Sequence, residues 1–386
     1  MVLRVNILIY MYMALCVCML AFNAAYAGRR KWADLHRPHK IRKWKERIGN
    51  LIESGQPMNQ KEDRELMKKL ARPTQLSLFY KAEQELEREG KQQQFLNWAG
   101  ANRRIFTGTC EKYSKKSVMD KAFYAHLIGQ YRLCGATQRD PFVKFMLQLV
   151  MEHSIYCREN ALQALYAGAS ASIVVRAYQL MARQEIEHSA KLITDGLLAF
   201  SGDRLELADQ LWAHWNEFPP YYQTAFINFI RLVTDRFCAR FLPLLNEETD
   251  REVQFAIIRY FRRYHYEEAG PVLCRMVLEW NIDDWEFAAL AAASLENYPG
   301  EDSIRALIQG MYSSNWYIRD NASDSLVRIG KDSALLQEVL QGSDRYAKDM
   351  LRYKLDQEKA ASAQTEPAAE AAAALEQEAM TDDGRG

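Results

Sequence analysis

The chain is poor in residues that break helices and in runs that favour strands. Its 386 residues include only 18 glycines and 10 prolines, and runs of β-branched residues are few. The good helix formers alanine, leucine, arginine, glutamate, glutamine and methionine dominate instead. This composition predicts an all-α protein. Because a chain of this length exceeds one ordinary compact core, we expect two domains or an array of repeats.

The sequence also lacks the usual signals of disulfides, bound metals and bound phosphates. Its seven cysteines form no CxxC pair, which excludes a disulfide framework and a cysteine zinc site. No GxxxxGK[ST], GxGxxG or HExxH motif occurs. The reversed Glu-His dipeptides at 152–153 and 187–188 are interpreted as solvated helix ends rather than metal ligands. We therefore expect no cofactor, no metal and no catalytic residues, in a protein that is not an enzyme.

Charge is absent from Val5 to Ala27, a stretch long enough to cross a bilayer. As a helix it spans about 34 Å, and a bilayer core needs about 30 Å. Only Arg4 precedes it, whereas Gly28-Arg29-Arg30-Lys31 follows, and positive flanks stay cytoplasmic. We predict that residues 1–27 form a single-pass cell-membrane anchor with the body in the cytoplasm. The alternative is a cleaved signal peptide with a secreted or outward-facing body, because residues 25–27 have the small-x-small form of a cleavage site.

The zero net charge hides an uneven distribution. Residues 28–135 carry 24 Lys and Arg against 12 Asp and Glu, whereas residues 136–386 carry 25 against 38. Because the basic half follows the apolar stretch, we expect it to meet anionic lipid headgroups. Nucleic-acid binding by this basic half is the alternative, but the acidic remainder argues against it, and no nucleic-acid partner is expected.

Three further segments surround the informative part of the chain. Residues 28–58 are predicted to be a basic juxtamembrane connector, broken near Gly55 and Pro57. Residues 59–139 are predicted to form a helical neck or cap, with helices at 59–71, 74–89, 92–113 and 116–133. Residues 359–386 are rich in alanine and glutamate and are predicted to be disordered, because they cannot bury a core.

A repeated pattern occupies residues 140–358. Arg158-Glu159-Asn160-Ala161 recurs as Arg319-Asp320-Asn321-Ala322. Aligning the rest of the segment on this motif gives six registers. In each register one position lies four residues before a large residue, and alanine occupies that position in five of the six. The small positions are Ala161, Ile193, Ala225, Ala256, Ala291 and Ala322, and the large ones are Leu165, Leu197, Phe229, Tyr260, Leu295 and Leu326. Small residues let helices approach closely, and large ones fill the groove between them. We call the helices that hold these residues the motif helices.

The segment 314–330, Ser-Asn-Trp-Tyr-Ile-Arg-Asp-Asn-Ala-Ser-Asp-Ser-Leu-Val-Arg-Ile-Gly, resembles the second-helix signature of the HEAT-repeat family, and 252–261 is a looser copy. The anchor, neck and repeat layout is similar to bacterial membrane-anchored HEAT-repeat proteins. The resemblance covers over half the chain. It implies a right-handed α-solenoid of helical pairs, in which stacked units cover each other's apolar faces and the motif helices line the concave side.

The candidate binding residues lie on these motif helices. Arg259, Arg262 and Arg263 share one helix face beside Tyr260, and this face is predicted to bind an acidic peptide, a phosphate or a partner carboxylate. The alternative is a solvated face whose cations pair with Asp250, Glu252, Glu267 and Glu268. Trp285 and Trp316 are further candidates, because tryptophan is favoured at binding hot spots. Arg158 and Arg319 are expected to bond acidic groups of the adjacent repeat.

These features predict a membrane-tethered scaffold or adaptor. Its partner is expected to be a protein associated with the membrane, such as the cytoplasmic part of an envelope glycosyltransferase. Two alternatives stay open at this stage. One is an enzyme on the HEAT fold, of lyase, hydroxylase or nucleic-acid glycosylase type, and the other is a nucleic-acid binder that uses the basic neck.

Overall fold

The computed structural model describes residues 2–54, 58–245, 249–330 and 335–360, and every regular element in these ranges is a helix. The predicted all-α class is therefore confirmed for this part of the chain. The predicted break near Gly55 and Pro57 and the predicted disordered tail from residue 361 onward lie outside the described residues. Two compact units are present: residues 1–186 with 199–210 form unit 1, and residues 187–198 with 211–386 form unit 2.

Unit 1 begins with one very long helix, followed by eight shorter ones. Their bounds are α1 (Val2–Ser54), α2 (Gln60–Leu70), α3 (Pro73–Arg88), α4 (Gln92–Ala101), α5 (Arg103–Ser114), α6 (Val118–Gln130), α7 (Pro141–Leu149), α8 (Ile155–Gly168) and α9 (Ala171–Arg183). Two of these helices have clear local start signals. The side chain of Asn59 caps α2 by accepting from the Glu62 amide, and Pro73 opens α3.

The helix α1 runs from the apolar stretch into the predicted basic connector without a break as far as Ser54. Its segment Tyr10–Gly28 is long and apolar enough to span a membrane and is not buried by the rest of the chain; a signal sequence would meet the same criteria. Further along, Trp44 and Ile48 are buried against α3, and Trp44 Nε1 donates to Gln75 Oε1 at 3.1 Å. The second half of the connector is thus a docked helix, because its apolar residues recur at helical spacing.

The predicted helix at 92–113 is wrong, because two helices, α4 and α5, occupy this stretch. Asn102 separates them, and its side-chain amide donates to the carbonyl of Trp98 at 2.9 Å, which ends α4. The break lets Phe95 and Phe106 turn toward one aromatic cluster with Phe79. Local side-chain bonding of this kind competes with helix continuation.

The helices α6 and α8 pack closely along their lengths. A Cβ built on Gly129 of α6 would lie only 3.0 Å from the Cα of Ala164 in α8, so glycine is what permits this approach. Near the start of α8, Arg158 donates to the carbonyl oxygens of Glu152 and His153. The expectation that Arg158 bonds acidic groups of a neighbouring repeat is wrong, because its guanidinium secures the turn before its own helix.

Unit 2 contains the remaining helices and the repeated packing. Their bounds are α10 (Ala190–Leu198), α11 (Arg204–Ala213, which crosses the division between the units), α12 (Pro220–Val233), α13 (Cys238–Phe241), α14 (Arg251–Arg263), α15 (Gly270–Leu278), α16 (Trp285–Ser294), α17 (Glu301–Met311), α18 (Trp316–Gly330) and α19 (Leu335–Gln341). Residues 345–360 are also helical, so the helix continues past the predicted start of the tail at residue 359.

The motif helices of unit 2 pack on one another in order. Helix α10 contacts α12, α12 contacts α14, α14 contacts α16, and α16 contacts α18, while α15 and α17 form a second layer beside them. All twelve small and large register residues are fully buried. The pattern read from the sequence therefore marks the positions where helices touch.

Neighbouring motif helices run parallel, as the bonds between α14 and α16 demonstrate. At the start of the pair, Arg251 binds Asp284 at 2.7 Å, and near the end Ser294 Oγ donates to the Ile258 carbonyl at 3.4 Å. In α18, Arg319 donates to the carbonyl of Ser313 at 2.6 Å rather than to an acid of the next repeat, which corrects the second arginine expectation. Arg158 and Arg319 thus bind a carbonyl six residues earlier in both copies of the motif.

Candidate partner-binding face

The last two turns of α14 carry the predicted arginines. Asp250 caps the start of the helix, since its carboxylate accepts from the amides of Glu252 and Val253 at 2.9 and 3.4 Å, and the helix ends at Arg263. Arg262 and Arg263 are exposed, whereas Arg259 is half-buried. Basic residues in the last turn are stabilised by the helix dipole.

Arg262 is paired within the chain. Its Nε lies 2.8 Å from Glu296 Oε1, and the other oxygen of Glu296 binds Arg328 of α18. The solvated-face interpretation expected acids near α14 itself as counter-ions, but the acid comes from the turn after α16. Arg262 therefore contributes less free positive charge than the sequence suggested.

Arg259 and Arg263 lie near a third arginine that sequence reasoning missed, because α14 packs on α12. Arg231, near the end of α12, is half-buried, and its pKa is lowered by burial and then by the charges of Arg259 and Arg263. Within the described ranges, none of these three arginines has an ion-pair partner. The signal that could have found Arg231 is its register, because it lies two residues after Phe229, as Arg262 lies two after Tyr260.

Tyr260 does not belong to any exposed surface, so its place among the binding candidates is wrong. It is fully buried, its hydroxyl donates to the Thr234 carbonyl at 3.0 Å, and it accepts from the Phe237 amide at 3.2 Å. Burial raises the pKa of this phenol. Its large ring fills the space between helices, as the register position requires.

The predicted tryptophans form a second area near the other end of the motif helices. Trp285 is half-buried and stacks on Tyr317 with ring centroids 5.0 Å apart, and Trp316 is exposed with its ring 5.2 Å from Tyr317. Because both tryptophans begin their helices and Arg259 and Arg263 lie near the end of theirs, parallel packing separates the two groups by roughly 15 Å along the helix axis. The structure does not bring them together in one cluster.

An open cleft of about 800 Å³ between α15 and α17 contains both a cysteine and a histidine. Burial raises the pKa of Cys274, whose Sγ lies 3.7 Å from Ser303 Oγ, and His265 Nδ1 donates to the Asn297 carbonyl at 2.8 Å. A thiol with a raised pKa is a poor nucleophile at neutral pH. Across the part of the chain that the structure describes, no three His, Cys, Asp or Glu residues gather as a metal site.

Comparison with known proteins adds no assignment. No protein-family model and no curated protein sequence matches this chain.

Proposed function

We propose that this chain is a membrane-tethered scaffold of HEAT-type helical repeats that binds a protein partner through the motif helices of unit 2. The observation that carries the proposal is the ordered packing of α10, α12, α14, α16 and α18, with the same register positions buried in each. Each helical pair leaves an apolar face uncovered, so units stack, and the extended surface that results serves binding in most such arrays.

The tether in this proposal is the segment Tyr10–Gly28 of α1. From Gly28 to Trp44, where α1 packs on α3, sixteen residues span about 24 Å. This part of α1 would hold the body near a cytoplasmic bilayer surface, where its basic side chains meet anionic headgroups. The exposed basic residues that support this role are Arg37, Lys40, Arg42 and Lys43.

The partner in this proposal carries an acidic segment that reaches the arginines of α14. Arg259 and Arg263 lack ion-pair partners within the described ranges, and guanidinium groups bind carboxylate and phosphate with two parallel hydrogen bonds. Exposed Trp316 and its neighbour Tyr317 offer a second contact, of the kind that dominates interface energies.

A pull-down from detergent-solubilised membranes tests this function. The full chain should recover one membrane protein in stoichiometric amount, and the double variant Arg259→Glu with Arg263→Glu should lose it. Recovery should also weaken as salt rises, since exposed charges are screened over about 8 Å at physiological ionic strength. A matched control is Arg305→Glu, which reverses an exposed arginine of α17.

Thermal unfolding of the double variant should change little, because Arg263 is exposed, Arg259 is only half-buried, and neither has an ion-pair partner to lose within the described ranges. If the variant keeps the partner, binding lies elsewhere on the chain. If the variant unfolds while the control does not, the two arginines are structural, and the proposed binding face is wrong.

A further inference from the structure

An arginine recurs two residues after the large register residue in three motif helices. These are Arg231 in α12, Arg262 in α14 and Arg328 in α18. Two of them share one counter-charge, because the two carboxylate oxygens of Glu296 bind Arg262 and Arg328. Glu296 itself is only 13% exposed at its side chain. This part of the array therefore carries its own anion between two cations.

The third arginine of the row, Arg231, lacks such an anion. The position equivalent to the shared glutamate holds Ile230 in α12 and Phe261 in α14, and both side chains are fully buried. Where a counter-ion would be expected beside Arg231, two further cations, Arg259 and Arg263, are found instead. Their charges add to the effect of burial in lowering the pKa of Arg231, which reflects mutual repulsion.

The cluster also contains an unsatisfied hydrogen-bond donor. Nε of Arg231 is buried and has no acceptor among the residues that the structure describes. Arg259 and Arg263 lie one helical turn apart, a spacing that places their side chains on the same face. The guanidinium of Arg263 lies 5.7 Å from the ring centroid of Tyr264, so a half-buried phenol borders the cluster. Buried donors are normally paired, and each exception needs a physical reason.

We propose that Arg231, Arg259 and Arg263 form an oxyanion site that binds a doubly charged phosphoryl group. A carboxylate would neutralise one of the three charges, whereas a phosphate monoester carries nearly two and offers three acceptor oxygens. Guanidinium groups suit such oxygens because they donate in a planar fork. The inference deepens the proposed function and rests on it for the source of the group, a phosphorylated side chain of the protein partner.

The competing explanation is that these arginines only complement helix dipoles. Arg231 and Arg263 lie in the last turns of α12 and α14, where cations are favoured. A dipole accounts for an exposed cation at a helix end. The dipole does not account for the buried Nε of Arg231, which has no acceptor among the described residues. It also does not account for three neighbouring cations without a glutamate such as Glu296, which lies between Arg262 and Arg328.

Titration of inorganic phosphate into the full chain in detergent, followed by calorimetry at constant ionic strength, tests the site. We expect saturable binding to wild type, weakened at least tenfold by Arg231→Gln and by Arg263→Gln, and unchanged by the control Arg305→Gln. Equal binding by wild type and both cluster variants would overturn the proposal. Arg231→Lys keeps the charge but removes the planar fork, so it should also weaken binding, and it carries the test if the glutamine variant misfolds on circular dichroism.

Two further titrations address the class and the source of the anion. Acetate should bind far more weakly than phosphate, and equal binding would overturn the phosphoryl assignment. A phosphoserine peptide should bind at least as tightly as phosphate. If the site binds phosphate but not the peptide, the assignment of the phosphoryl group to a protein partner is overturned. These titrations contain no partner, so their result does not depend on the pull-down. The anion site and the proposed scaffold function can therefore be refuted independently.

Discussion

Two glycines, each one residue before the end of its helix, offer a matched pair of substitutions with opposite expected signs. Gly129 lies in α6 and Gly100 in α4. A Cβ at Gly129 would meet Ala164 at 3.0 Å from its Cα and 3.3 Å from its N and Cβ. A Cβ at Gly100 would have no such heavy-atom neighbour within 4 Å. The two sites therefore differ in the space around them rather than in their place along a helix.

The surroundings of each glycine set the expected change in the free energy of unfolding. Alanine is favoured over glycine inside a helix by about 0.5–1 kcal/mol, so Gly100→Ala should raise the free energy of unfolding by up to that amount. At Gly129 the same gain is opposed by overpacking, which costs about 1–3 kcal/mol. Because the atoms that obstruct the new Cβ include the backbone of α8, they cannot rotate away. We expect Gly129→Ala to lower the free energy of unfolding by about 1–2 kcal/mol.

Urea unfolding of the full chain in detergent, followed by far-ultraviolet circular dichroism and tryptophan fluorescence, measures both effects. The midpoint should move up for Gly100→Ala and down for Gly129→Ala, with similar slopes. Both glycines lie in unit 1, so the comparison does not depend on unit 2. If the two variants shift the midpoint in the same direction by the same amount, the close approach of α6 and α8 is refuted.

Three further outcomes are expected. Ala322→Leu should lower the free energy of unfolding by about 1–3 kcal/mol, because this residue is fully buried at a helix contact; unchanged thermal unfolding would remove it from that contact. Burial raises the pKa of Glu83 from 4.5 to about 7, so the folded state keeps a proton that the unfolded chain releases. Stability should fall as pH rises through that window, and Glu83→Gln should abolish the fall in urea midpoint; an unaltered slope would contradict this cause. Burial also raises the pKa of Cys110 and Cys134 to about 12, so an impermeant maleimide should leave them unmodified. A cysteine introduced at the exposed position by Lys115→Cys should react with the maleimide only after lysis if the body is cytoplasmic. The parent chain is the control. Reaction in intact cells would show that the body faces outward.

Much of the helical organisation was predictable because its signals are local. Asn59 and Pro73 mark helix starts through capping and a fixed backbone angle, so α2 and α3 begin within a residue or two of their predicted positions. The small and large register residues were also readable, since the same contact recurs at spacings of about one repeat. The separation of α4 from α5 was missed, because Asn102 ends α4 through a side-chain bond and no glycine or proline marks the break.

The candidate site divides in the same way between sequence and tertiary structure. Helical periodicity alone predicts that Arg259 and Arg263 share a helix face, because residues four apart lie on the same side of a helix. Which of the arginines has a counter-charge depends on how distant helices pack. Glu296 neutralises Arg262 from the turn after the next motif helix, and Arg231 joins the cluster from the preceding one. Register spacings vary between repeats, so the neighbours of an arginine across two helices depend on how the helices pack, which no local pattern encodes.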